Sequence, residues 1–507
     1  MNASRPRYAY FILTAVLLVR TAPIIGGFLL KGDGFLFTTG ESDPLIYLWG
    51  ARSILSSGVN EFHFFPPVNF LFIAGLLYLG GGSVVVPSLA TALIGWLSVA
   101  ALYLLAREIF DERTAVIASL LAGFYPNFIF YGMSLYPETL TIFFITCSFL
   151  LLVKYYTTHR MLFLICAGVV WGLASQARGG LHLFSFGIAA AIVWQRRGSG
   201  WSETLKSACL MLAAIYCTIS AVGFMAAPFY GGISLNSKSG MGSALHGANR
   251  LMNCNPDYGH VRGSLLYEIN LAHDEWPAGV QVYSDDLMQK NSLKILADFW
   301  AFVMQEPRAY MKSGIERLSF MWSPNQLIIK YIKQNLYYRS APVSDALCLL
   351  LSMLFAAVLC AGCAGCFLSK DFFRPLFALF VLFYCLLIFF TVGNAKLRLP
   401  LMPFFMMYAA LFCSMAAGCA VRFTRYTAIP VSVLCCVIAF NAVYRYQDIA
   451  ISPGEFNVRQ VELSAELGFS KTALFLLEKK RSFPHYTEQQ RARLKKIERT
   501  LHERNQG

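Results

Sequence analysis

The sequence is short of charge. Only 14% of its 507 residues are Asp, Glu, Lys or Arg, against about 25% in soluble domains. A chain this long cannot cover itself in water with so few polar groups. Histidine is scarce as well: His63, His182, His246, His260 and His273 are scattered, and no His/carboxylate cluster has metal-ligand spacing. No cofactor is therefore expected, with a divalent cation left open. Of the 14 cysteines, only Cys254 lies in a long polar loop, so no disulfide framework is visible. Cys360, Cys363 and Cys366 recur every three residues with Ala361-Gly362 and Ala364-Gly365 between them. Close helix packing through small residues explains that spacing better than thiolates buried in a lipid-phase helix. No basic segment is interleaved with exposed aromatics, so nucleic acid is not an expected partner.

What the chain has is apolar residues, 57% of the total, gathered into runs that match the thickness of a hydrocarbon core. The runs predict eleven membrane helices at about 9–30, 84–106, 114–132, 139–155, 161–177, 181–195, 206–229, 343–368, 373–392, 399–420 and 427–444. The first run is too long for a signal-peptide core, and no small-x-small site closes it. Val68–Leu79 is apolar but short, between Pro66-Pro67 and Gly80-Gly81-Gly82, and reads as an interfacial or re-entrant piece. The basic residues support that reading. With 68–79 not spanning, Arg5, Arg7, Arg107, Arg113, Lys154, Arg160, Arg196, Arg197, Lys206, Lys370, Arg374, Arg422 and Arg425 face inward. Only Lys31, Arg52, Arg178, Lys396 and Arg398 then occupy short outer loops. A spanning 68–79 would reverse this bias, which normally places Lys and Arg on the cytoplasmic side. The net charge of +14 is read mainly as orienting charge of this kind.

The expected protein is an all-α polytopic membrane protein of the inner (plasma) membrane, its N-terminus cytoplasmic and its C-terminus extracytoplasmic. Residues 1–444 form the membrane domain. Two polar regions, 31–83 and 230–342, face outward, and 445–507 form a small helical module with pieces near 458–468, 470–480 and 487–503. Within 290–325, apolar residues at helical spacing predict two amphipathic helices on the outer surface, divided at Pro307.

The ionisable groups that break the apolar pattern gather at the outer ends of helices. Asp43 precedes Pro44, a strong helix start, so its carboxylate is either a cap or a base held just above the bilayer. Glu138 follows Tyr136-Pro137 at another outer helix start, where negative charge is favoured in any case. Arg178 stands in a short turn before Gly179-Gly180. Lys396 and Arg398 are two cations on the side that the charge bias disfavours. Anion binding gives them a reason, because guanidinium matches phosphate oxygens; snorkelling is the bland alternative. Arg20 lies inside the first helix, where an ionisable residue is a functional candidate by default; the alternatives are that it snorkels or pairs with an acid.

Several stretches together resemble the multi-spanning (GT-C) glycosyltransferases typified by dolichyl-phosphate-mannose protein mannosyltransferases and bacterial lipid A aminoarabinose transferases. They are Asp43-Pro44-Leu45-Ile46-Tyr47 with Ala51-Arg52, Phe65-Pro66-Pro67, Tyr103 to Phe110, and Phe124-Tyr125-Pro126. Pro137-Glu138-Thr139, Gly172 to Arg178, Glu306-Pro307-Arg308 to Tyr310, and Leu397-Arg398-Leu399-Pro400 to Pro403 complete the set. The resemblance covers roughly 8–445, and order and spacing carry it, not any single motif. It implies a polyprenyl-phosphate sugar donor, a membrane lipid, glycan or protein acceptor, and an inverting displacement. It implies Asp43 as first-loop acid and base, with Glu41 beside it and Glu138 as second acid. Arg398, Lys396 and Arg178 would be phosphate contacts, and Tyr47, His63 and Arg20 substrate contacts. Many relatives carry two adjacent acids in the first loop; here Ser42 separates Glu41 from Asp43, which leaves the choice of base open.

The rival readings are a transporter or flippase of lipid-linked saccharide and a non-catalytic envelope scaffold. No inverted repeat relates the two halves, which weighs against the transporter. The topology makes a direct prediction. A membrane-impermeant maleimide should label Cys254 in right-side-out vesicles, with the signal absent from Cys254→Ser; labelling confined to inside-out vesicles would overturn the orientation.

Overall fold

The computed structural model describes residues 7–32, 43–60, 62, 65–196, 198, 200–233, 300, 303–304, 307–324, 326–391, 395–418, 425–466, 473–474, 476–478 and 483–506. Among these there is no strand. The chain divides into two compact units. One comprises 1–240, 354–386 and 397–439; the other comprises 241–353, 387–396 and 440–507.

The first unit opens with α1 (Arg7–Lys31), α2 (Asp43–Ser57), α3 (Pro67–Leu79) and α4 (Val85–Ile109). It continues with α5 (Glu112–Gly123), α6 (Pro126–Met133), α7 (Pro137–Thr158), α8 (Met161–Ala177), α9 (Ser185–Arg196) and α10 (Trp201–Tyr230). Proline sets several of these starts. Pro67, Pro126 and Pro137 each occupy the first turn of their helix, after a residue held extended, as a proline ring requires. Asp111 starts α5 differently, accepting the Thr114 N–H at 2.7 Å.

Two thirds of the apolar stretch of α7 is buried, as is that of segment 395–417, whereas α1 buries about a fifth of its own. The outer surface of α1 carries Phe11, Leu18, Leu29 and Leu30 exposed. An apolar exterior over a packed interior is the arrangement lipid selects. The interior is aromatic: Phe149 stacks on Trp171 at 5.6 Å and meets Phe373, Phe380 and Phe404 edge-on or tilted.

Four later helices follow in the chain: α11 (Pro307–Met321), α12 (Leu327–Leu336), α13 (Ala341–Leu368) and α14 (Arg374–Phe390). A 3-10 turn (Ala395–Leu401) leads into α15 (Met402–Ala417), and α16 (Arg425–Ala450), α17 (Pro453–Glu466) and α18 (Glu488–Gln506) complete the described helices. Within the first unit, Gly362 and Gly365 of α13 face the backbone carbonyls of Phe405 and Tyr408 on α15. The small residues between the three cysteines are thus where two backbones meet. In the second unit, Tyr310 donates to the Phe390 carbonyl at 2.9 Å and Arg317 donates twice to that of Phe389, at 3.0 and 2.6 Å. These carbonyls end α14 and have no partner within the helix. Arg445 pairs with Glu316 and bonds Ser319, and Arg493 of α18 grips both Glu455 and Glu462 of α17.

The chain is a multi-pass membrane protein, but the expected count of eleven spanning helices is not reproduced. Seven described helices are long and apolar enough to cross a membrane, eight if a bent pair is one span. That pair is α5–α6, bent by 59° where the sequence predicts one helix over 114–132. Pro126 causes the break, because it has no N–H for the Ala122 carbonyl. The expected helix 181–195 begins as a 3-10 turn, Leu181–Phe184, and its α part is only 12 residues. Segments 161–177 and 374–390 are apolar helices of 17 residues, at the lower end of the length that crosses a hydrocarbon core. Pro67–Leu79 is a 13-residue helix, as short as its sequence suggests. The first of the two expected amphipathic helices lies mostly outside the described residues.

The α13–α15 contact predicts that Gly365→Ala drives a methyl into a main-chain carbonyl that cannot turn away. Thermal unfolding in detergent should show a loss of about 1–3 kcal/mol, and unchanged stability would mean that the two helices are less closely packed.

Candidate functional site

Glu138 is placed by two local rules. Pro137 begins α7, and a carboxylate in the first turn meets the positive end of the helix dipole. The side chain is nonetheless 1% exposed, where an unpaired carboxylate is strongly disfavoured. Its partner arrives from the end of α8. Arg178 follows the last helical residue in an extended conformation, and Gly180, at φ 91°, turns the chain away. Only glycine adopts that φ without strain. Arg178 Nη1 meets Glu138 Oε1 at 2.6 Å. Burial alone would lower the Arg178 pKa; the Glu138 carboxylate, with Tyr384 and Tyr47 near it, raises it, so the guanidinium stays charged. The second Glu138 oxygen, Oε2, is buried and makes no hydrogen bond among the described residues. It is an acceptor already stripped of water.

Tyr47 reaches this pair from α2 and is itself buried, its ring 4.8 Å from Phe70 and 5.7 Å from Phe65. Asp43 stands one helical turn earlier, half-buried in the first turn of α2 and on the same face as Tyr47. α2 therefore leads onto the Glu138–Arg178 pair. Tyr384, on α14, is 2% exposed and completes the group.

Arg398 is 1% exposed in the 3-10 turn before α15. Its guanidinium lies over the Phe355 ring, 4.2 Å from the centroid, with Tyr125 and Tyr131 within electrostatic reach. Tyr131 links it to α7: its ring is 4.9 Å from Tyr136, and its carbonyl accepts the Thr139 hydroxyl at 3.0 Å. Arg398 and Glu138 are thus joined through the α6–α7 corner.

Arg20 reaches the α5–α6 junction from α1, 1% exposed, donating to the carbonyls of Phe128 at 3.1 Å and Ala122 at 3.4 Å. It borders a cavity of about 350 Å³, counted with its open part, whose wall includes Ser98, Phe128, Tyr131 and Thr139. Lys396 is half-buried and belongs to the second unit. Glu41 and His63 lie outside the described residues. Among those described, no three His, Cys, Asp or Glu side chains gather closely enough to hold a metal ion. Of the expected site residues, the structure brings together Tyr47, Glu138 and Arg178, and ties Arg398 to them through Tyr131. Sequence reasoning missed Tyr384 and Tyr131; each is a tyrosine in an apolar run, and only its hydroxyl hints at a polar neighbour.

Residues 65–223, under a third of the chain, match the family model described as Dolichyl-phosphate-mannose-protein mannosyltransferase. That segment carries Glu138 and Arg178. No curated protein sequence matches the chain. Among solved structures, the apo oligosaccharyltransferase of Archaeoglobus fulgidus aligns with a TM-score of 0.48 at 13% identity, covering 88% of this chain and 56% of that one. The same organism's oligosaccharyltransferase in complex with Zn and sulfate gives 0.45 at 14%, covering 87% and 52%. Its AglB, in complex with an inhibitory peptide and a dolichol-phosphate, gives 0.40 at 14%, covering 87% and 56%. The chain spans little more than half the length of these proteins.

The buried pair predicts strong coupling. Arg178→Ala leaves Glu138 uncompensated and should cost about 3–5 kcal/mol in unfolding free energy. Adding Glu138→Gln should recover some of that loss, and strictly additive effects would show that the two side chains do not depend on each other.

Proposed function

We propose that the chain is a membrane glycosyltransferase that moves a sugar from a polyprenyl-phosphate donor to an acceptor on the extracytoplasmic face, with N-terminus cytoplasmic and C-terminus extracytoplasmic. The observation that carries this reading is the buried Glu138–Arg178 pair beside Tyr47 of the first outer helix, within or next to the segment similar to a mannosyltransferase family. A desolvated carboxylate with one oxygen fixed by a guanidinium, and the other buried without a hydrogen bond among the described residues, suits holding a hydroxyl in a set direction.

The acceptor oxygen attacks the anomeric carbon of the donor. The bond from that carbon to the phosphate oxygen breaks with inversion, and polyprenyl phosphate leaves with the bonding electrons. The acceptor's proton passes to Asp43, on the helix that brings Tyr47 to the pair; Glu41 is the alternative base. Arg398 stabilises the charge that grows on the departing phosphate, the kind of preorganised electrostatics that contributes most to such barriers. Arg178, locked to Glu138, holds that side chain in place and presents its remaining N–H groups. Lys396 is not assigned a place in this site. The sugar, hexose or pentose, and the acceptor class, lipid, glycan or protein, are left to experiment.

Purified protein incubated with a panel of polyprenyl-phosphate sugars and an acceptor mixture should release polyprenyl phosphate. Asp43→Asn should lower kcat by about 100-fold or more, on the scale of general-base catalysis, with donor affinity retained. Arg398→Ala should weaken donor binding about tenfold or more, as loss of a buried charged hydrogen bond does. Transmembrane movement of the donor without release would favour a flippase, and unchanged transfer by Asp43→Asn would remove that residue from the mechanism. Transfer that stops in EDTA and returns with Mg²⁺ or Mn²⁺ would add a divalent cation to it.

A further inference from the structure

Arg20 is buried in α1, and no carboxylate pairs with it among the described residues. Its two hydrogen bonds go to the two sides of the α5–α6 break. In an unbroken helix the Ala122 carbonyl would accept from the N–H of residue 126. That residue is Pro126, which has none. Arg20 Nη2 takes its place at 3.4 Å, while Nη1 bonds the Phe128 carbonyl, in the first turn of α6, at 3.1 Å. Two glycines make the room. A Cβ on Gly95 of α4 or on Gly132 of α6 would stand 2.7 or 2.8 Å from Nη1. The guanidinium therefore acts as a bracket across a helix bent by 59°.

The bend leads directly into the site. α6 carries Tyr131 and ends at Met133. The Tyr131 carbonyl holds the Thr139 hydroxyl, and the Tyr131 ring meets Tyr136, so both residues flanking Pro137-Glu138 are fixed to α6. Tyr131 is also the neighbour of Arg398. Straightening α5–α6 would carry Tyr131 away from both groups.

We propose that Arg20 is a positioning residue: by bonding Ala122 and Phe128 across the α5–α6 break, it fixes the bend that aligns Glu138 with Arg398, and it does not itself touch substrate. The proposal builds on the transferase reading of those two residues.

The test uses the full-length protein in three forms, Arg20→Met, Arg20→Lys and Pro126→Ala. Cryo-electron microscopy of each, with an antibody fragment for alignment, gives the α5–α6 angle without reference to activity. Pro126→Ala restores the missing N–H to Ala122, so this variant should fold and stay stable with the angle well below 59°. Its kcat should fall tenfold to 100-fold, the scale of a displacement of about 1 Å, while donor KM stays within about twofold. Arg20→Met, which keeps Pro126, should stay bent but at an angle shifted from 59° and with kcat lowered alongside, and Arg20→Lys, able to reach one carbonyl at a time, should fall between. An unchanged angle in Arg20→Met overturns the proposal. So does a raised donor KM at constant kcat, which would make Arg20 a direct contact with the donor. If the unaltered protein transfers no sugar from any donor in the panel, the transferase reading fails, while the angle in Arg20→Met still decides whether Arg20 sets the bend.

Discussion

The organisation of the first unit depends on one salt bridge, Glu138 to Arg178. Each member alone is untenable in its position: a carboxylate almost fully buried at the head of α7, and a cation at the end of α8. Together, at 2.6 Å, they join the start of α7 to the end of α8. A pair of this kind adds little net stability compared with an apolar substitute. Its persistence in so apolar a protein is better explained by what it presents: a fixed, water-stripped acceptor oxygen next to Tyr47 and Tyr384.

The same constraint governs polar groups throughout the described membrane helices. Where hydrocarbon surrounds the chain, backbone carbonyls without a helical partner need one from a side chain. Arg20 serves the carbonyl orphaned by Pro126, and Arg317 and Tyr310 serve those at the end of α14. Arginine recurs because its guanidinium carries several donors in one plane and stays charged at any relevant pH. Three of the most deeply buried large side chains are arginines, Arg20, Arg398 and Arg445. In a chain with so few charges, these cations serve a helix break (Arg20), an aromatic face (Arg398) and a carboxylate on a neighbouring helix (Arg445).

Much of this was legible in the sequence, and the remainder was hidden for physical causes. Glu138 and Arg178 each stood out as ionisable groups at helix ends. Their pairing did not, since they are 40 residues apart and meet only because α7 and α8 form a hairpin. Arg20 was conspicuous as an intramembrane cation, yet its partners are backbone carbonyls, which no residue pattern encodes. The predicted helix over 114–132 failed because hydropathy does not register a missing N–H. Phe124-Tyr125-Pro126 was in view throughout, and the proline was the signal. Tyr384 could not have been chosen from among the aromatics of its apolar run. Glu41 and His63 lie outside the described residues, so their roles stand as the sequence left them.

Arg398 has a further property, which comes from the glycines of α13. Gly362 and Gly365 let α13 lie directly on the backbone of α15, and Phe355, two turns earlier on α13, covers the guanidinium. The cation is clamped between a rigid spine and an aromatic lid. A guanidinium that is 1% exposed and packed against an aromatic ring has little room to reorient toward an approaching anion. A charge mounted so firmly acts as a fixed datum: a partner must come to it at one height and from one side, and any adaptability in recognition has to reside in the partner or in the loops above.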